Sequence, residues 1–214
     1  MEMIDAQDEL NVTTEETWRV FAAVPINNAV RRVMQETQNA FVSRGWPLRW
    51  VDPKQAHITL KFYGDTTASN VAQLKDHLGE IASHFAPVGL ETGGLGVFPS
   101  WSRPRVLWLG LNGEVEQLRS LARDVEETMP DERTSARDKA RSFKAHITLA
   151  RLREGASLPS DFQPMVSFFQ IEPVALKLDR VQLIRSVLGP KGPTYSTVAE
   201  WPLIAPAHEE HEHG

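Results

Sequence analysis

The 214 residues include no cysteine, 41% hydrophobic side chains and 24% charged ones. This excludes a disulfide scaffold, a thiolate metal site, an iron–sulfur cluster and a cysteine nucleophile, and leaves an ordinary globular composition with enough chain for a proper core. The formal charge of −5 divides unevenly: residues 1–17 hold six acids and 205–214 hold three, neither has a Lys or Arg, and 18–204 is therefore +4.

In chain order, 1–17 reads as an acidic, disordered extension. Residues 18–204 read as one two-lobed domain, and 205–214 as a disordered acidic tail carrying His208, His211 and His213. No apolar run approaches the roughly 18 residues of a membrane span, and the acidic N-terminus lacks the basic-then-apolar pattern of a secretion signal. A cytoplasmic protein without a membrane partner is the expectation.

Between the ends, strand and helix signals alternate. Residues 19–24 suit a strand before Pro25. Asn27 or Asn28 caps a predicted helix to about Val42, and Gly45 stops it. Residues 49–51 and 56–63 read as strands, and Gly64-Asp65 as a turn. Val71, Leu74, Leu78, Ile81 and Phe85 share one face of a helix over 69–85, leaving His77 and His84 at its surface. Residues 88–98 are Gly-rich and extended, followed by a loop over 99–104. A strand over 105–111 turns at Asn112-Gly113 into a helix over 115–129. After a polar, basic connection over 130–142 come strands at 143–152, 174–178, 181–187 and 195–201, the last two joined by a turn over 189–193.

The pentapeptide AHITL occurs twice, at 56–60 and 145–149, each time on a strand that returns after a strand and a helix. An exact internal repeat in repeated context points to duplication. Side chains alternate across a strand, so His57 and Thr59 share one face while Ala56, Ile58 and Leu60 share the other. His146 and Thr148 repeat the division. A single His-x-Thr strand is no more than a half-exposed sheet surface. A duplication retained only for structure would keep the Ile/Leu face, whereas this one keeps the His/Thr face as well. Two such strands related by a pseudo-twofold axis aim both pairs at one cleft.

Two imidazoles suit one base and one acid near neutral pH, and two hydroxyls suit donors to the oxygens of a phosphate. No acid-rich metal signature flanks either motif and no Gly-x-Ser-x-Gly elbow is present. Acid–base chemistry without a metal or other cofactor needs an activated substrate, and a strained 2′,3′-cyclic phosphate fits. A basic body suits an oligonucleotide. Arg133, Arg137, Lys139, Arg141 and Lys144 precede the second motif and line a nucleic-acid path or form a solvated loop. Trp46, Trp50, Trp101 and Trp108 serve as base-stacking candidates or as core.

These motifs lie within WRVFAAVP (18–25), RWVDPKQAHITLKFYGD (49–65), GLGVFPS (94–100), RPRVLWLGL (103–111), FKAHITLAR (143–151) and LIRSVLGPKGPTY (183–195). On them the sequence resembles the RNA 2′,3′-cyclic phosphodiesterases of the two-histidine phosphoesterase superfamily, the LigT-like group once described as 2′-5′ RNA ligases. The resemblance implies a bilobal α+β fold, with antiparallel sheets flanking a central cleft and helices outside. It implies opening of 2′,3′-cyclic phosphate ends of RNA to 2′-phosphomonoesters without a metal; a monomer is the expectation. It makes His57 and His146 catalytic, with His57 the acid and His146 the base, and Thr59, Thr148 and Arg151 phosphate-binding.

Arg151 poses a difficulty, because five residues after His146 a regular strand points it to the opposite face, and only a bulge, twist or strand end re-aims it. In the first copy Phe62 holds the place of Arg151, and Lys61, with the parity of His57, is a candidate source of charge. The alternatives are phosphodiesterase or ligase action on 2′-5′ linkages or other cyclic nucleotides, and a non-catalytic module that binds RNA ends.

Overall fold

The structure is a computed structural model that describes residues 15–129, 143–190 and 192–204. Most of the acidic extension, the C-terminal tail and the basic connection lie outside these residues. So do Arg133, Arg137, Lys139 and Arg141.

The chain runs β1 (Thr17–Pro25), α1 (Asn28–Val42), β2 (Leu48–Trp50), a 3-10 turn (Pro53–Gln55), β3 (His57–Thr67), α2 (Ala68–Ser83), β4 (Val88–Phe98), β5 (Val106–Gly113), α3 (Val115–Glu127) and β6 (His146–Leu152). A short helix α4 (Phe162–Ser167) and strands β7 (Ala175–Leu178), β8 (Arg180–Gly189) and β9 (Gly192–Pro202) complete it. Asn27 is the cap of α1: its side-chain oxygen accepts from the Val30 N–H at 2.9 Å, which satisfies one of the free donors at a helix start. Gly45, with φ +64°, follows the helix where the chain reverses.

Two antiparallel sheets result, in the orders β3-β1-β8-β9 and β2-β6-β5-β4-β7. Setting β2 aside as an added edge, the orders correspond with a His-x-Thr strand first in each. The expected α+β duplication is therefore present, but its lobes interlock. Strand β4 sits in the second sheet, and β8 and β9 return to the first. Helix α2 packs on β3, β8 and β9, α1 reaches β7, and α3 bridges β3 and β4. Ile58, Leu60, Ile147 and Leu149 are buried in one continuous core, so the apolar face of each motif strand supplies the burial that fixes its register.

Two elements depart from the sequence reading. Gly64-Asp65 is not the end of a strand: β3 continues to Thr67, and Gly64 takes φ +74° inside it, beside a register shift against β1. A positive φ there is a bulge geometry that glycine adopts without strain. The turn signal is thus a kink in a long strand. Helix α4, in the Pro-rich stretch after β6, buries Phe162 and Val166 with too few residues to show helical periodicity.

One close approach supports the second lobe. A Cβ at Gly96 would collide with the indole of Trp108, a buried and rigid group. Gly96→Ala is expected to lower stability by about 1–3 kcal/mol, the range for overpacking a filled core. Urea unfolding checks this, with a lower midpoint at unchanged slope.

Candidate active site

Strands β3 and β6 approach one another directly. A single cleft between the sheets is lined by His57, Thr59, His146, Thr148 and Arg151 together. All five residues singled out from the sequence therefore converge, three of them from one strand.

Arg151 reaches the cleft through a bulge. Pairing of β5 with β6 steps from Leu107↔Ala150 to Trp108↔Thr148, leaving Leu149 unpaired. Pairing of β1 with β3 steps from Ala22↔Lys61 to Ala23↔Thr59, leaving Leu60 unpaired at the equivalent position. The duplication thus includes a duplicated bulge. An extra residue inverts the alternation beyond it, which returns Arg151 to the face of His146 and Thr148, and Phe62 to the face of His57 and Thr59.

The same inversion removes Lys61 from the cleft. It is buried, and its ammonium donates to the carbonyls of Glu126 and Thr128, both at 2.6 Å, at the C-terminal end of α3. Carbonyls left over at a helix C-terminus favour a cation. Lys61 therefore ties β3 to α3, and the charge expected from it in the cleft is not there. Phe62 does face the cleft and is 63% exposed. Alternation alone gave no reason to place it there.

Each histidine is held in the same way. His57 Nδ1 lies 2.8 Å from the Gln55 carbonyl and His146 Nδ1 lies 2.7 Å from the Lys144 carbonyl. A carbonyl only accepts, so Nδ1 carries the proton in both, and Nε2 is left as the working nitrogen. Aromatic rings fix the planes. Phe21 packs against His57 at 4.8 Å with Tyr195 at 5.4 Å. Phe98 meets His146 edge-on at 4.8 Å. Lys144 lies 4.3 Å from the Trp108 ring, an exposed cation over a buried indole.

This packing sets the electrostatics. Burial is the largest influence on both imidazoles and pushes their pKa values below the usual 6.5, against the backbone carbonyls that favour the charged form. The Arg151 guanidinium lowers both further, His146 lowers His57, and Lys144 lowers His146. Both shifts favour neutral imidazoles beside the guanidinium.

Among the four tryptophans considered for stacking, Trp46 and Trp108 are core, Trp50 lines the cleft, and Trp101 lines a separate depression with Phe162. His77 and His84 are exposed on or just beyond α2. Among the described residues, no group of three or more His, Asp or Glu side chains is placed to hold a metal ion, and no helix is long and apolar enough to cross a membrane.

This duplicated arrangement matches a known class. The model of the LigT-like phosphoesterases matches twice in succession, over residues 22–108 and 109–195, and the chain belongs to that family. Among similar proteins, one from Thermus thermophilus named RNA 2′,3′-cyclic phosphodiesterase is 32% identical over 86% of this chain and 90% of its own. One of the same name from Aeropyrum pernix is 29% identical over 76% of this chain and 90% of its own. The crystal structure of TT0787 from Thermus thermophilus superposes with a TM-score of 0.69 at 29% identity, covering 88% of this chain and 99% of that one.

Proposed function

We propose that the protein hydrolyses RNA 2′,3′-cyclic phosphate ends to 2′-phosphomonoesters by metal-independent acid–base catalysis. The observation that carries this reading is the pair of carbonyl-anchored histidines, each with Nε2 available, in one cleft with two threonines and an arginine. The name shared by the relatives supports the substrate class.

In the reaction, Thr59, Thr148 and Arg151 hold the non-bridging phosphate oxygens. His146 Nε2 takes a proton from a water as its oxygen attacks phosphorus opposite O3′. The P–O3′ bond breaks as His57 Nε2–H protonates O3′, giving a free 3′-hydroxyl and a 2′-phosphate. The two histidines end with their protons exchanged and return to the starting state through solvent.

The acid must be an imidazolium, while burial favours two neutral rings. The substrate supplies the difference: an anionic phosphate between the rings raises their proton affinity. Binding thus charges the acid at the moment it is needed, and a strained five-membered ring reduces the demand on the leaving group.

The test is turnover of adenosine 2′,3′-cyclic phosphate in excess EDTA, with the product resolved as 2′-AMP or 3′-AMP. Full turnover to 2′-AMP is expected. Loss of activity on chelation overturns the metal-independent mechanism. A 3′-AMP product overturns the assignment of the leaving oxygen, and binding without turnover identifies a binding module.

A further inference from the structure

Beside Arg151 the cleft contains a second guanidinium that the hydrolysis does not use. Arg49 on β2 is the direct antiparallel partner of Arg151 on β6. Directly opposed residues project from the same face of a sheet with Cβ atoms about 5 Å apart, and both side chains are exposed and line the cleft. Like charges so placed repel one another. Among the described residues, neither guanidinium makes an ion pair. The acid nearest Arg49 in sequence, Asp52, also lines the cleft, but its carboxylate accepts the Lys54 N–H and caps the 3-10 turn.

An unneutralised arginine pair suits more anionic charge than one phosphate brings. The scissile phosphate already has the two threonines and Arg151. Arg49 sits one strand further out, about 4.8 Å from β6, on the edge strand of its sheet. The displacement runs across the sheet surface to its edge, which sets Arg49 beside the phosphate assigned to Arg151, where a second phosphate of a nucleic-acid chain would lie. Tyr195, half-buried across the cleft, feels Arg151, Arg19 and Arg49, which act against the rise in its pKa caused by burial.

We propose that Arg49 binds the phosphodiester on the 5′ side of the terminal nucleotide, so that the site favours oligonucleotide ends over cyclic mononucleotides. This rests on the hydrolase reading above and extends it to a second phosphate.

Three substrates test it: adenosine 2′,3′-cyclic phosphate, its 5′-phosphorylated form, and the dinucleotide ApA ending in a 2′,3′-cyclic phosphate. In the wild type the two substrates with a 5′ phosphate have the lower KM. In Arg49→Gln the ratio of their kcat/KM to that of the unphosphorylated nucleotide falls about tenfold, chiefly through KM. Arg49→Lys retains most of the ratio. The salt dependence of dinucleotide binding drops by about one phosphate contact in Arg49→Gln. An unchanged ratio in Arg49→Gln, or equal losses on all three substrates, overturns the proposal. If the wild type turns over none of them, binding of the ring-opened dinucleotide 2′-phosphate and of 2′-AMP is compared instead. A loss in Arg49→Gln confined to the dinucleotide then upholds the second-phosphate site while the hydrolase reading fails.

Discussion

Replacing either histidine with alanine is expected to lower kcat for adenosine 2′,3′-cyclic phosphate by about 10²–10⁴-fold, the usual contribution of a positioned acid or base. The double variant falls far short of the product of the two losses, because groups that act as a unit are not additive. The pH profile separates the roles. Removing a base removes the limb on which activity falls because that base is protonated, the acidic one. Removing an acid removes the alkaline limb. His146→Ala should therefore lose the acidic limb and His57→Ala the alkaline one. An activated aryl phosphodiester, whose leaving group needs no proton, should restore much of the loss in His57→Ala and little in His146→Ala. The reverse rescue would exchange the roles, and wild-type turnover in either variant would remove that histidine from the mechanism.

Much of this site is legible in the sequence because the relevant physics is local. His57-x-Thr59 and His146-x-Thr148 obey the two-residue period of a strand, and an exact repeat shows that both faces matter. What the sequence hides depends on pairing between strands. The bulges at Leu60 and Leu149 exist only in the register against Ala22–Ala23 and Leu107–Trp108. Nothing in the local residues distinguishes a regular strand from a bulged one. Strict alternation therefore puts Lys61 in the cleft and Arg151 outside it, and the structure reverses both. The pairing of Arg49 with Arg151 is hidden for the same reason, since it joins residues about a hundred positions apart. Phe62 and Arg151 then mark where the two copies diverge, with one lobe presenting an aromatic face and the other a charge at equivalent points.

That charge has a second expected effect beyond the proposed contact with phosphate. Arg151→Gln is expected to lower kcat/KM by about 10²–10³-fold, the loss typical of one donor to developing negative charge. Its guanidinium also holds down the pKa values of both histidines. A cation disfavours imidazolium, so removing it eases protonation and raises both values. The kcat/KM profile reports the free enzyme, and its limbs belong to the coupled pair rather than to single residues. Both limbs should therefore move to higher pH in Arg151→Gln while the amplitude falls. Arg151→Lys keeps the charge but loses the planar fork, so activity should drop with the limbs near their wild-type positions. A shift toward acid in Arg151→Gln would contradict the electrostatic account. Unchanged limbs with reduced amplitude would confine Arg151 to direct contact, and the lowered pKa values would then rest chiefly on burial against Phe21, Tyr195 and Phe98.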